Sequence, residues 1–176
     1  MKYAGIGSRR TPPEILEQME ALASQLAAAG FVLRSGGAEG ADSAFERGCD
    51  AVKGPKEIFL PWKGFNGRKE SVSLPNEKAI SLASQIHPAW NKCSPGAWKL
   101  HARNCQQVLG ENLDDPSDFI ICWSPGNGGT EQALRVAKIH NIPVFNLIDP
   151  EAKHRLQNYL LEHAEKENEN PALRPS

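Results

Sequence analysis

Long hydrophobic runs are missing from this 176-residue chain. Its most apolar stretch, Phe119-Ile120-Ile121-Cys122-Trp123, falls far short of the ~18 residues of a membrane span, and the first residues lack the apolar core of a secretion signal. A cytoplasmic protein without membrane partners is expected. A charge excess is missing too: 20 Lys and Arg against 21 Asp and Glu leave a net charge of -1, which excludes a broad polybasic surface. Cysteine is sparse. Cys49, Cys93, Cys105 and Cys122 form no C-x-x-C pair and no zinc-ribbon spacing, so reduced, mostly buried thiols and no metal are expected. Neither a G-K-[ST] nor a clean G-x-G-x-x-G occurs, which disfavours an ATPase and a standard NAD dehydrogenase, and no cofactor is implied. Repeats and linkers are also absent, giving one domain over residues 1–166 and a loose polar tail over 167–176.

What is present alternates. Tyr3 to Gly7 reads as a strand, followed by a helix capped by Thr11 and opened by Pro12 and Pro13, with Ile15, Met19, Leu22 and Leu26 on one face. Phe31 to Arg34, Glu57 to Leu60, Phe119 to Trp123 and Pro143 to Leu147 read as further strands. Between them lie helices carrying Ala41, Ala44, Phe45 and Gly48, then Pro75 to Ile86, then a helix from Ser94, then one from Thr130, and last Glu151 to Lys166. On the Ser94 helix, Trp98, His101, Cys105 and Val108 share a stripe, leaving Arg103 on the more polar side; His101 and His140 read as core histidines. Such alternation predicts an α/β, Rossmann-like doubly wound fold, its mainly parallel sheet covered by helices on both faces.

Three glycine-rich turns, "GIGSRR", "SGGAEGAD" and "SPGNGGTEQ", each follow a strand and so fall at the carboxyl edge of the sheet. Helix N-termini there offer unpaired N–H groups to an anion, and guanidinium groups grip phosphate bidentately. The candidate ligand-binding residues are Gly7, Ser8, Arg9, Arg34, Ser35, Gly36, Gly37, Asp42, Arg103, Asn104, Pro125, Gly126, Gly128, Gly129 and Thr130. Asp42 suits ribose hydroxyls or simply the positive end of its helix, and the same holds for Glu39. The loop "LPWKGFNGRKE" brings Trp62, Phe65, Lys63, Arg68 and Lys69, able to cover a base and a second phosphate or to serve only as a surface loop.

The segments "LRSGGAEGADSAFERG", "HARNCQQVLG" and "GGTEQALRVAKIHNIPVFNL" resemble the DNA-processing protein A (DprA) family over the chain to about Leu147. "PGNGGTEQA" is similar to the signature of the Lonely Guy phosphoribohydrolases of the same SLOG superfamily. The resemblance implies a small nucleotide-type ligand, such as an ADP-ribose-like signal, and a homodimer or higher oligomer. It also implies two alternatives. One is an N-glycosidase acting on nucleoside monophosphates with Glu131 and Arg103 as catalytic residues, although Ala133 stands where the family's glutamate would be. The other is binding of single-stranded DNA, as in DprA.

Overall fold

Tyr3 and Ala4 are chain neighbours and both are wholly buried, which a strand permits only when both its faces are covered. The computed structural model describes residues 1–69 and 71–169 and shows that arrangement. Five parallel strands, β1 (Lys2–Gly7), β2 (Val32–Ser35), β3 (Lys56–Ile58), β4 (Phe119–Trp123) and β5 (Val144–Asn146), pair in the order β3-β2-β1-β4-β5. The connections are α1 (Pro13–Ala28), α2 (Ala41–Ala51), α3 (Glu77–Ile86), α4 (Pro95–Leu109) and α5 (Thr130–Ile139), with α6 (Ala152–Glu169) following β5. Tyr3, Leu33, Phe119 and Phe145 pack on one face with residues of α1, α2 and α6. Ala4, Ile6, Ile120 and Cys122 pack on the other with residues of α3, α4 and α5. The fold is the expected Rossmann-like α/β.

Local chemistry sets the element ends. Ser94 and Asn76 cap α4 and α3 by accepting from Ala97 N–H at 3.3 Å and Ala79 N–H at 2.9 Å. Thr11 does not cap α1: its hydroxyl donates to the Ser8 carbonyl at 2.6 Å, and Pro12 holds the cap position without a side-chain bond. The last helix runs on to Glu169, so it takes in the first residues expected to be tail; residues 170–176 lie outside the described residues. His140 is exposed at the end of α5 rather than in the core, because the helix stops there and the apolar face ends with it.

Order β3-β2-β1-β4-β5 reverses between β1 and β4, since the chain crosses from β3 over α3 and α4 to the far side of β1. A crevice opens at such a reversal, outside the carboxyl ends of the strands. Here it lies between the turns after Gly7 and after Trp123, which face each other in register.

Arg34 belongs to neither turn. Its side chain is 1% exposed and runs back toward the opposite edge, where its Nε donates to Glu57 at 2.7 Å and its terminal nitrogens to Asp115 at 2.5 Å and to Ser117 Oγ at 3.3 Å. Lys2 joins the group through Glu57 at 2.8 Å and Asp115 at 2.7 Å. Burial alone would raise the pKa of both carboxyls, but hydrogen bonds and charge from Lys2 and Arg34 outweigh it and hold both below the usual range. Carboxyls depressed in this way stabilise the fold above their ordinary pKa of about 4 and lose that contribution as pH falls through their lower folded values. Removing the cation from a buried pair costs about 3 kcal/mol here, the low end of the usual range because both carboxyls reach water. Arg34→Ala is therefore expected to lower the urea midpoint strongly at pH 7 and to flatten the loss of stability below about pH 4. An unchanged midpoint would contradict the structural role.

Candidate functional site

A cleft of about 510 Å³ opens at the β1/β4 reversal, within the range of small-ligand sites. One side is the turn after β1, with Gly7, Ser8, Arg9 and Arg10; another is the start of α5, with Asn127, Gly128, Gly129 and Thr130. Ala38 comes from the second glycine turn, after β2, and Asp42 from the start of α2; Ala97, Leu100, His101, Arg103 and Asn104 come from α4. Phe65 closes one end from the loop after β3. The first N–H groups of a helix have no partner within it; in α5 those of Glu131 and Gln132 donate to the Gly128 and Gly129 carbonyls at 3.3 and 3.2 Å, so the Thr130 N–H and the partial positive charge of the helix start are what face the cleft. Gly128 has a φ of +91° and open space where a side chain would stand, so the backbone is approachable there.

Adjacent residues of α4 hold two of the glycine turns together. A terminal nitrogen of Arg103 donates to the Gly36 carbonyl and its Nε to Asn104 Oδ1 at 2.9 Å; Asn104 Nδ2 in turn donates to the Gly129 carbonyl at 2.9 Å. Arg10 completes the ring by donating to Asn127 Oδ1 at 3.0 Å. Arg103 is thus not on a solvated face. It is 5% exposed, with its guanidinium carbon 5.7 Å from the Phe65 ring centre.

The second glycine turn is not open to a ligand in the way the first and third are. Asp42, 3% exposed, accepts from the N–H groups of Gly36 at 3.1 Å and Ala38 at 3.3 Å. A side chain at Gly36 would meet Arg103 at 2.1 Å, so glycine there makes room for the protein's own arginine. Ser35 donates to buried Glu46 at 2.7 Å, and Arg68 pairs with the same carboxylate, while Asn66 donates to the Gly37 carbonyl at 3.0 Å. Ser35, Gly36 and Gly37 therefore serve the inner packing of the loop over residues 61–69 and do not line the cleft. Lys63 and Lys69 point to solvent and Trp62 packs edge-on against Phe65 at 5.1 Å.

Pro125 and Gly126 are exposed and lie outside the cleft lining; so do buried Arg34, held in the ion network described above, and half-buried Glu131, which accepts from Ser124 Oγ. Among the described residues lining the cleft, Asp42 is the one carboxylate. Gly7, Ser8, Arg9, Asp42, Arg103, Asn104, Gly128, Gly129 and Thr130 are brought together in the cleft lining. Asn127 and the apolar wall of Ala97 and Leu100 escaped the sequence reading; Asn127 sits inside the glycine motif, whereas the wall had no signal of its own. His101 was read as core and instead lines the cleft. Burial, then the neighbouring charges of His87, Arg135 and Arg103, push its pKa down to about 4. Its ring is drawn toward His87 and Cys93, whose ligand-type atoms all lie within 4.8 Å of one another and of His101.

No family model and no curated protein matches this chain. Among solved structures, DNA processing protein A from Helicobacter pylori, a structure described for its single-stranded DNA binding mode, is similar with a TM-score of 0.56 at 21% identity. The likeness covers 83% of this chain and 64% of that one, so the chain spans under two thirds of that protein, and what is shared is the fold.

Burial raises the Asp42 pKa to about 6 against the opposing pull of Arg103 and the Gly36 and Ala38 amides, with Glu46 adding to the rise. A carboxyl raised on folding costs stability once it ionises, so stability falls as pH climbs from about 4 to about 6. Asp42→Asn is expected to remove that fall, and Arg103→Met to move the Asp42 midpoint upward in a carboxyl-carbon NMR titration; a midpoint near 4 in the wild-type protein would refute both.

Proposed function

We propose that the cleft binds a small phosphate-bearing nucleotide without cleaving it. The observation that carries this reading is the pairing of Arg9 and Arg10 with the start of α5 across the β1/β4 reversal, beside Arg103. Phosphate oxygens would accept from the Thr130 N–H at the start of α5 and from the guanidinium groups, each such charge-assisted bond contributing about 1.5–3 kcal/mol. The base would lie on the apolar lining residues Ala97, Leu100 and Phe65 of the same cleft. An ADP-ribose-like molecule, with a diphosphate between two sugars, suits a site lined by both cations and apolar side chains.

Binding is favoured over N-glycosidase chemistry by the position of Glu131, which is turned to Ser124 outside the cleft, and by Ala133 inside it. A general acid must reach the atom it protonates, and Asp42 is turned to Gly36, Ala38 and Arg103. Single-stranded DNA is the second reading. It is supported by the likeness to a DNA-binding protein of this fold, and opposed by a net charge of -1, which leaves few cations to neutralise a run of phosphates.

Calorimetric titration with nucleoside phosphates and an ADP-ribose analogue is expected to give saturable binding. Arg9→Ala and Thr130→Val should weaken it by roughly 10-fold or more, in line with the loss of one charge-assisted bond to phosphate, from the guanidinium or from the hydroxyl. An oligo-dT strand should compete poorly at moderate salt, and chromatography should detect no free base. Because ionised Asp42 repels phosphate beside Arg103, affinity for a phosphodiester, whose own charge is constant, should rise as pH falls through about 6. No binding of any nucleotide, or tighter binding of oligo-dT, would overturn the first reading.

A further inference from the structure

At one rim of the cleft the chain between α3 and α4 folds back on itself. His87 ends α3, a 3-10 turn over Trp90–Lys92 follows, and Cys93 ends that turn just before α4 begins. Cys93 N–H bonds to the Trp90 carbonyl at 2.9 Å, Trp98 Nε1 bonds to the same carbonyl at 3.2 Å, and the two indoles stack at 5.6 Å. This aromatic clamp fixes the turn above His101, whose ring centre lies 4.2 Å from that of His87.

We propose that His87, Cys93 and His101 form a site for a zinc-type transition metal ion with one coordination position left open toward the cleft. The ligand chemistry is that of zinc: two imidazole nitrogens and one thiolate, with none of the oxygen donors that calcium or magnesium require. Spacing agrees. Cys93 Sγ lies 3.8 Å from His87 Nδ1 and 4.0 Å from Nε2. Tetrahedral zinc with ordinary Zn–S and Zn–N bonds sets sulfur and nitrogen about 3.6 Å apart, so the Cys93–His87 pair is near that spacing, and binding would draw in His101, whose ligand nitrogen lies within 4.8 Å of both. His101 Nδ1 is buried and has no hydrogen-bond partner among the described residues, an uncommon state for a buried polar atom. Coordination at His87 Nδ1 displaces the Ala89 N–H that this atom now accepts at 3.2 Å. Arg135 lies near both imidazoles and opposes a cation; the thiolate offsets one charge, and a water-derived hydroxide or a ligand oxygen in the fourth position offsets more. Three protein ligands and an open place is the arrangement of reactive rather than purely structural zinc. Because His101 lines the cleft, that open place faces the space assigned above to a nucleotide, yet filling it requires no nucleotide.

Chelator-stripped protein titrated with Co²⁺ tests the proposal without any ligand for the cleft. A single equivalent is expected to produce the near-ultraviolet charge-transfer band of a cobalt thiolate, and Zn²⁺ should abolish it stoichiometrically. Cys93→Ser, at a half-exposed position that the core does not need, should lose the band while circular dichroism stays unchanged. The same change and His101→Gln should each lower Zn²⁺ affinity by more than the roughly 10- to 100-fold expected from losing an outer-shell partner. Absence of the band in wild-type protein, or its persistence in folded Cys93→Ser through the buried Cys49, Cys105 or Cys122, would overturn the assignment.

Discussion

Two neighbouring side chains on one helix, Arg103 and Asn104, carry the geometry of the cleft. They reach in opposite directions to carbonyls of separate glycine turns, Gly36 and Gly129, and are joined to each other by the Arg103–Asn104 bond. The same helix buries Ala102, Cys105 and Val108 against the sheet. Sheet packing and site geometry are therefore one problem: a shift of α4 large enough to disturb its apolar face would also part the turns that form the cleft.

Charge is divided between the two edges of the sheet. At the amino edge Arg34, Lys2, Glu57 and Asp115 satisfy one another and present little to any visitor. At the carboxyl edge Arg9 and Arg10 are exposed, whereas Arg103 is matched from within by Asp42 and Arg68 by Glu46. Ion pairs that are complete hold the fold, and cations that are incompletely matched are those available to a ligand. This contrast accounts for the division of labour better than any property of arginine itself.

Strand-turn-helix periodicity made the parallel sheet legible in the sequence, and with it the convergence of glycine turns at a single edge, because both follow from local pattern. Side-chain direction was less legible. Arg34 was read with the turn it precedes, but alternation along β2 sends it to the face packed by α4, away from the turn. The helical stripe puts Arg103, a candidate site residue, on the more polar side of α4, and the loop over residues 61–69 covers that side with Phe65. Asp42 offered two readings in sequence, and a third was realised, as acceptor for the amides of its own turn. The meeting of His87, Cys93 and His101 depends on a chain reversal with no regular spacing, so no pattern in the sequence announced it.

The Arg10–Asn127 bond, exposed at both ends, ties the first and third turns together across the cleft. A bond of this kind contributes about 1 kcal/mol and yields readily to water. Passage between bulk solvent and the interior thus meets a latch that lifts often, and how long a guest stays is governed by its grip on the floor beneath rather than by the door.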